Sequence, residues 1–116
     1  MVIREKYLEK IRGFYHSDLI KVITGIRRSG KSVILDLIRE EIAKETDNII
    51  YLNFENLFDF DKAPNALKLL DYLSKNRKEG KCYVFLDEVQ NINNWAEAVK
   101  TLRVQNNSVF ITGSNS

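Results

Sequence analysis

Apolar positions along the chain fall into blocks of two different periods. Ile3, Tyr7 and Ile11 recur at the spacing of one helix face, and Gly13 can end that helix. Residues 14–18 read as a turn. Residues 19–24, Leu-Ile-Lys-Val-Ile-Thr, form a short apolar run that stops at Gly25, as a buried strand would. Beyond a glycine-bounded loop, Val33, Ile34, Leu37, Ile38 and Ile42 share one helical face. Asp36, Arg39, Glu40 and Lys44 occupy the other.

The same alternation continues. Residues 48–54, Asn-Ile-Ile-Tyr-Leu-Asn-Phe, predict a second strand. Pro64 suits the first turn of a helix carrying Leu67, Leu70 and Leu73. Residues 81–87, Lys-Cys-Tyr-Val-Phe-Leu-Asp, predict a third strand. Asn93 or Asn94 can cap a helix with Trp95, Val99 and Leu102 on one face. Residues 108–112 predict a fourth strand. Strands alternating with helices imply an α/β domain with a mostly parallel sheet covered on both faces. In such sheets ligands bind beyond the carboxyl ends of the strands.

Composition narrows the class. The 116 residues suit one domain, 44% hydrophobic and 29% charged. With 18 basic and 16 acidic residues the formal charge is +2, so bulk charge does not indicate nucleic acid as a partner. No apolar run approaches the ~18 residues of a membrane span, and the N-terminus lacks a signal-peptide core. A membrane is therefore not an expected partner. The single cysteine, Cys82, reads as a strand residue of the core and fits a reducing cytoplasm, the expected location.

Residues 25–32, Gly-Ile-Arg-Arg-Ser-Gly-Lys-Ser, match the phosphate-loop pattern G-x-x-x-x-G-K-[ST]. At ordinary residue frequencies a chain of this length matches by accident about 0.4% of the time. The flanking strand and amphipathic helix make accident rarer still. The chemistry explains the residue types. Gly25 and Gly30 allow the backbone to wrap an anion, and the following helix adds its positive end. Lys31 brings a full charge near the β- and γ-phosphates, and the Ser32 hydroxyl can ligate Mg²⁺. The expected nucleotide-binding set is Gly25, Arg28, Ser29, Gly30, Lys31, Ser32 and Val33. Arg27 and Arg28 are either phosphate contacts or solvated loop residues.

Asp87 and Glu88 follow the third strand. An aspartate there can hold Mg²⁺ with Ser32, and a neighbouring glutamate can deprotonate a water. Expected catalytic residues are thus Glu88 and Lys31, and expected metal residues Ser32 and Asp87. A glutamate in that place points to an ATPase, and no guanine-reading Asn-Lys-x-Asp is present. The segment Thr112-Gly-Ser-Asn115 either senses the γ-phosphate or is a plain turn. Ser114 and Asn115 are its candidates, with Asn115 preferred. Asn53 and Glu55 end the second strand and are either neighbours of the site or ordinary strand-end polar residues. His16, the only histidine, has no metal partners nearby in sequence.

These motifs together resemble the prokaryotic AAA-domain ATPases. The resemblance rests on the phosphate loop, Tyr51-Leu-Asn-Phe-Glu, Leu86-Asp-Glu-Val-Gln with Trp95 following, and Ile111-Thr-Gly-Ser. It spans about residues 4–116, as a short N-terminal helix (about 2–13) and a nucleotide-binding core (about 19–116) of a single domain. It implies a three-layer P-loop NTPase fold of the ASCE type. In that fold the phosphate-loop strand is flanked by the fourth strand, then the third, then the second.

The resemblance also implies Lys31 and Ser32 as Walker A residues, Asp87 as Walker B, Glu88 as the catalytic glutamate, and Asn115 or Ser114 as sensor 1. Adenine is implied by the family alone. The family core continues past sensor 1 into another strand and a helical lid, so the chain is expected to be an N-terminal fragment truncated after its fourth core strand. Homo-oligomer or protein partners would act through the missing C-terminal regions. The expected activity is Mg-dependent ATP binding and hydrolysis within a larger protein. The alternatives are a nucleotide-dependent switch with little turnover, and a phosphotransferase, for which the sequence shows no acceptor pocket or lid.

Overall fold

The computed structural model describes the backbone of residues 2–24 and 28–113 and the side chains of residues 5–24 and 30–113. The elements run α1 (Val2–Arg12), β1 (Lys21–Ile23), α2 (Arg28–Ala43), β2 (Ile49–Asn53), α3 (Leu57–Lys62), α4 (Ala66–Asn76), β3 (Cys82–Asp87), α5 (Trp95–Arg103) and β4 (Asn107–Thr112). A single 3-10 turn, Val89–Asn91, follows β3. The four strands form one sheet in the order β1-β4-β3-β2, and every pairing is parallel. This is the expected strand order and a P-loop NTPase-like fold.

Period-two alternation in the central strands sorts the core into two halves. Tyr83, Phe85 and Phe110 point to one face, where they meet Leu8, Ile11 and Tyr15 and the α2 residues Ile34, Leu35, Ile38 and Ile42. Val84, Leu86, Val109 and Ile111 point to the other face, against Leu69 and Leu73 of α4 and Ala98, Val99 and Leu102 of α5. Because β3 and β4 are covered on both faces, all six residues of each are buried; β3 is apolar up to Asp87, whereas β4 sets Val109, Phe110 and Ile111 between the buried polar residues Asn107, Ser108 and Thr112. Stacking of Phe85 on Phe110, 4.7 Å between centroids, ties the two strands on the α2 side.

Polar ties fix the elements that carry little apolar surface. Arg12 donates to both oxygens of Glu41 at 3.0 and 2.6 Å, and Tyr15 Oη donates to the same carboxylate at 2.8 Å, docking α1 on α2. Lys21 is buried at the start of β1. Its ammonium donates to the Ser17 carbonyl and to Ser108 Oγ, and lies over the Phe110 ring.

The structure revises several details. Helix α3 was not expected. Its six residues, Leu-Phe-Asp-Phe-Asp-Lys, are too few to show a helical period, and Asn56 starts it by accepting from the N–H groups of Phe58 and Asp59. Pro64 precedes α4 rather than opening it, and Asn65 is the cap. Helix α4 buries Leu69 and Leu73, whereas Leu67 is 79% exposed. In α2, Leu35 joins the core while Val33 and Leu37 are only half-buried, and Lys44 lies past the helix end. Strand β1 is three residues long, shorter than the expected run, and Val22 on this edge strand is half-exposed.

Candidate functional site

The sheet order places a crevice where the chain changes face. Strand β1 leads into α2 on one face, and β3 leads into α5 on the other, with the end of β4 between them. Loops that leave neighbouring strand ends in opposite directions open a pocket at the carboxyl edge. The described candidate residues meet there. Lys31 and Ser32 stand in the first turns of α2, Asp87 and Glu88 at and just after the end of β3, and Thr112 and Gly113 at the end of β4.

Asp87 lies at the centre of the network and is almost fully buried. Ser32 Oγ donates to Asp87 Oδ2 at 2.6 Å. Thr112 Oγ1 donates to Asp87 Oδ1 and in turn accepts the Glu88 N–H at 2.9 Å. One hydroxyl therefore holds both the carboxylate of one acid and the backbone of the next. Tyr51 Oη approaches Asp87 Oδ2 at 3.4 Å, a long contact, and Arg39 lies over the Tyr51 ring at 4.5 Å. Burial, with the Asp87 charge behind it, raises the Tyr51 phenol above its ordinary range, so it stays a protonated donor.

Glu88 is buried and takes a left-handed backbone, φ 56° and ψ 50°. For a residue with a Cβ this conformation costs about 1–2 kcal/mol, so surrounding bonds must hold it. The Thr112 hydroxyl holds its N–H, and Gln90 Nε2 donates to Glu88 Oε1 at 2.8 Å. The turn re-aims the chain between strand and 3-10 turn, so that Asp87 and Glu88 both lie in buried surroundings.

Lys31 is also buried, and its ammonium donates to the Gly113 carbonyl at 2.8 Å. Arg28, Ser29 and Gly30 are the first three residues of α2, and N–H groups at a helix start lack intrahelical acceptors. They give this edge the partial positive charge that favours anions. Val33 is half-buried just inside the helix.

Some expected residues fall elsewhere. Gly25 and Arg27, the side chains of Arg28 and Ser29, and the sensor candidates Ser114 and Asn115 lie outside the described residues. Asn53 is level with Asp87 in the β2–β3 register, but its side-chain oxygen closes a turn on the Glu55 N–H, and Glu55 is exposed. His16 pairs with the Tyr83 hydroxyl at 2.7 Å, four strand residues, or about 13 Å, below Asp87. Cys82 is buried in the core, and that burial pushes its thiol pKa up. Gln90, Tyr51 and the bond from Thr112 to Asp87 were not anticipated. Each depends on strand register or on a turn that reverses the chain.

The residues present fit a hydrated divalent cation. No group of three or more potential metal ligands occurs among the described residues. Mg²⁺ beside phosphates needs only one or two protein oxygens, since it keeps several waters. Ser32 Oγ and Asp87 Oδ2, already converged, supply that pair.

Comparison with known proteins agrees with this picture. The family model described as "AAA domain" matches residues 17–116. An uncharacterized protein of Haemophilus influenzae is 38% identical over 121 residues, covering 99% of this chain and 30% of that protein. Uncharacterized protein MJ1544 of Methanocaldococcus jannaschii is 38% identical over 97 residues, covering 84% of this chain and 21% of that protein. The chain thus spans less than a third of the length of either relative. No solved structure matches it significantly. No helix among the described residues is long and apolar enough to cross a membrane. Together with the all-parallel sheet and its carboxyl-edge cluster, the match over residues 17–116 shows that this chain belongs to the AAA-domain family of P-loop ATPase-type proteins.

Proposed function

We propose that this chain binds Mg-ATP and hydrolyses it as part of a longer protein in the cytoplasm. The observation that carries the reading is the 2.6 Å bond between Ser32 and Asp87, which brings the end of the phosphate-loop motif onto the carboxylate of β3. In this reading Lys31 leaves the Gly113 carbonyl for the phosphate oxygens, and the amides at the start of α2 hold the same anion. Gly25, Arg28, Ser29, Gly30 and Val33 complete the nucleotide contacts. Ser32 and Asp87 hold Mg²⁺, which supplies charge neutralisation on the phosphates when bound. Glu88 takes the proton of the attacking water, and its buried carboxylate is shielded from bulk solvent. Ser114 or Asn115 senses the γ-phosphate.

A second reading is a nucleotide-dependent switch with slow turnover. It is favoured by the contact that holds Lys31 to a protein partner, the Gly113 carbonyl. Steady-state hydrolysis by full-length protein, set beside ATP-dependent change in mass, separates the two. Turnover that needs Glu88 supports hydrolysis. A change of assembly with ATP and no turnover supports the switch.

A further inference from the structure

Gln90 is an exposed residue in the 3-10 turn after β3, yet its amide spans three parts of the site. Its Nε2 donates to Glu88 Oε1 at 2.8 Å. Its Oε1 lies against Gly113, where a methyl group on residue 113 would come within 3.0 Å of it. The carbonyl of that same glycine receives the Lys31 ammonium. A small pocket, about 110 Å³, lined by Thr24, Gln90, Trp95, Thr112 and Gly113 among others, opens at this point. The amide is thus wedged between a buried carboxylate and the strand end that holds the lysine.

From this geometry we infer that Gln90 is a positioning residue for Glu88: its amide holds the carboxylate in the rotamer from which the attacking water is deprotonated. The inference rests on the hydrolytic reading above. The Thr112 bond acts on the Glu88 backbone, whereas the Gln90 amide acts on the carboxylate. That hydrogen bond restricts where the carboxylate can turn. A general base works only within hydrogen-bond reach of its proton, so a wandering carboxylate loses rate without losing nucleotide. Gln90 acts through Glu88 and makes no contact with the phosphates.

A purely local role, stabilising the 3-10 turn, makes a different forecast. The test uses full-length protein and the variants Gln90→Ala, Gln90→Glu and Glu88→Gln, with ATP turnover and ATP affinity measured separately. Gln90→Ala should lower kcat by about tenfold, less than loss of the base itself, while KM and the ATP dissociation constant stay within about twofold. Gln90→Glu keeps the shape but replaces the donor with a negative charge facing Glu88. It should lower kcat more than Gln90→Ala does, whereas a role in shape alone would make it the milder change. In single turnovers of the Glu88→Gln protein, adding Gln90→Ala should cost nothing further. Unchanged kcat in Gln90→Ala, a Gln90→Glu variant milder than Gln90→Ala, or an equal loss in the Glu88→Gln background overturns the role of Gln90 alone. Absence of turnover in the parent protein, or turnover untouched by Glu88→Gln, overturns the hydrolytic reading and Gln90's part in it.

Discussion

Ser32 and Asp87 are 55 positions apart in the chain, and their side-chain oxygens lie 2.6 Å apart across the carboxyl edge of the sheet. One comes from the helix that follows β1, the other from the end of β3, two strands away. Their meeting turns two separate motifs into one candidate site.

Lys31 carries the only charged side chain offered to the phosphates by the described loop residues. Replacing it with Ala should remove detectable ATP binding. A charge-assisted hydrogen bond contributes about 1.5–3 kcal/mol, or roughly 10- to 150-fold in affinity, and this site loses its anchoring cation as well. Calorimetric titration with ATP and Mg²⁺ checks it. Wild-type affinity in Lys31→Ala would remove the phosphate-site assignment.

Glu88→Gln keeps size and polarity but takes away the base. Binding of Mg-ATP should persist, while turnover falls by about 10²–10⁴-fold. Phosphate release by the full-length protein is the measurement. Turnover within twofold of the parent would take Glu88 out of the mechanism.

Thr112 forecasts a stability effect. Thr112→Val preserves shape but removes the hydroxyl that donates to Asp87 and accepts from Glu88. Two buried polar groups then lose a partner, at about 1–3 kcal/mol of stability. Urea denaturation should show a lower midpoint, and Thr112→Ser should recover much of it. Equal stability of the Val variant would mean that Thr112 does not hold the acidic pair.

Lys21 gives a pH dependence. Burial, with the charge of Lys81 adding to it, lowers its pKa to about 8 from the ordinary 10.5. Between these values the unfolded chain holds a proton that the folded chain has released. Unfolding therefore takes up a proton, and stability rises with pH across this window. Below pH 8 the folded state carries the buried cation and its desolvation cost. The phenols of Tyr7, Tyr15, Tyr51 and Tyr83 are raised, mainly by burial, which acts oppositely above pH 10. The Cys82 thiol, raised by burial from its ordinary 9.0, also opposes the rise within this window and does so equally in both proteins. Lys21 is therefore read from the difference between them: across about pH 8–9.5 the slope of stability against pH, from urea unfolding, should be more positive in the parent than in Lys21→Met, and parallel slopes would contradict the assignment.

Much of this protein was legible from residue order. Glycine spacing, a lysine and a hydroxyl in register, and apolar runs ending in acids are local signals, because strand, loop and helix form from neighbouring residues. The strand order followed from the family resemblance, and the sheet agrees with it. Local signals misled where a short element had no period to read, as in α3. They also misled where one helix turn decides which leucine faces inward, as with Leu67 and Leu69.

Only the tertiary structure decided how the acids are held. The bond from Thr112 to Asp87 depends on β4 lying beside β3 in parallel register, a relation between strands that no local spacing encodes. The left-handed turn at Glu88 and the reach of Gln90 to both Glu88 and Gly113 depend on side chains brought together from two strand ends. Sequence thus determined which chemical groups the chain possesses and on which elements they ride. Packing of the sheet determined which of them touch, because hydrogen bonds form over about 3 Å and the residues that meet Asp87, Ser32 and Thr112, are tens of positions from it in the chain.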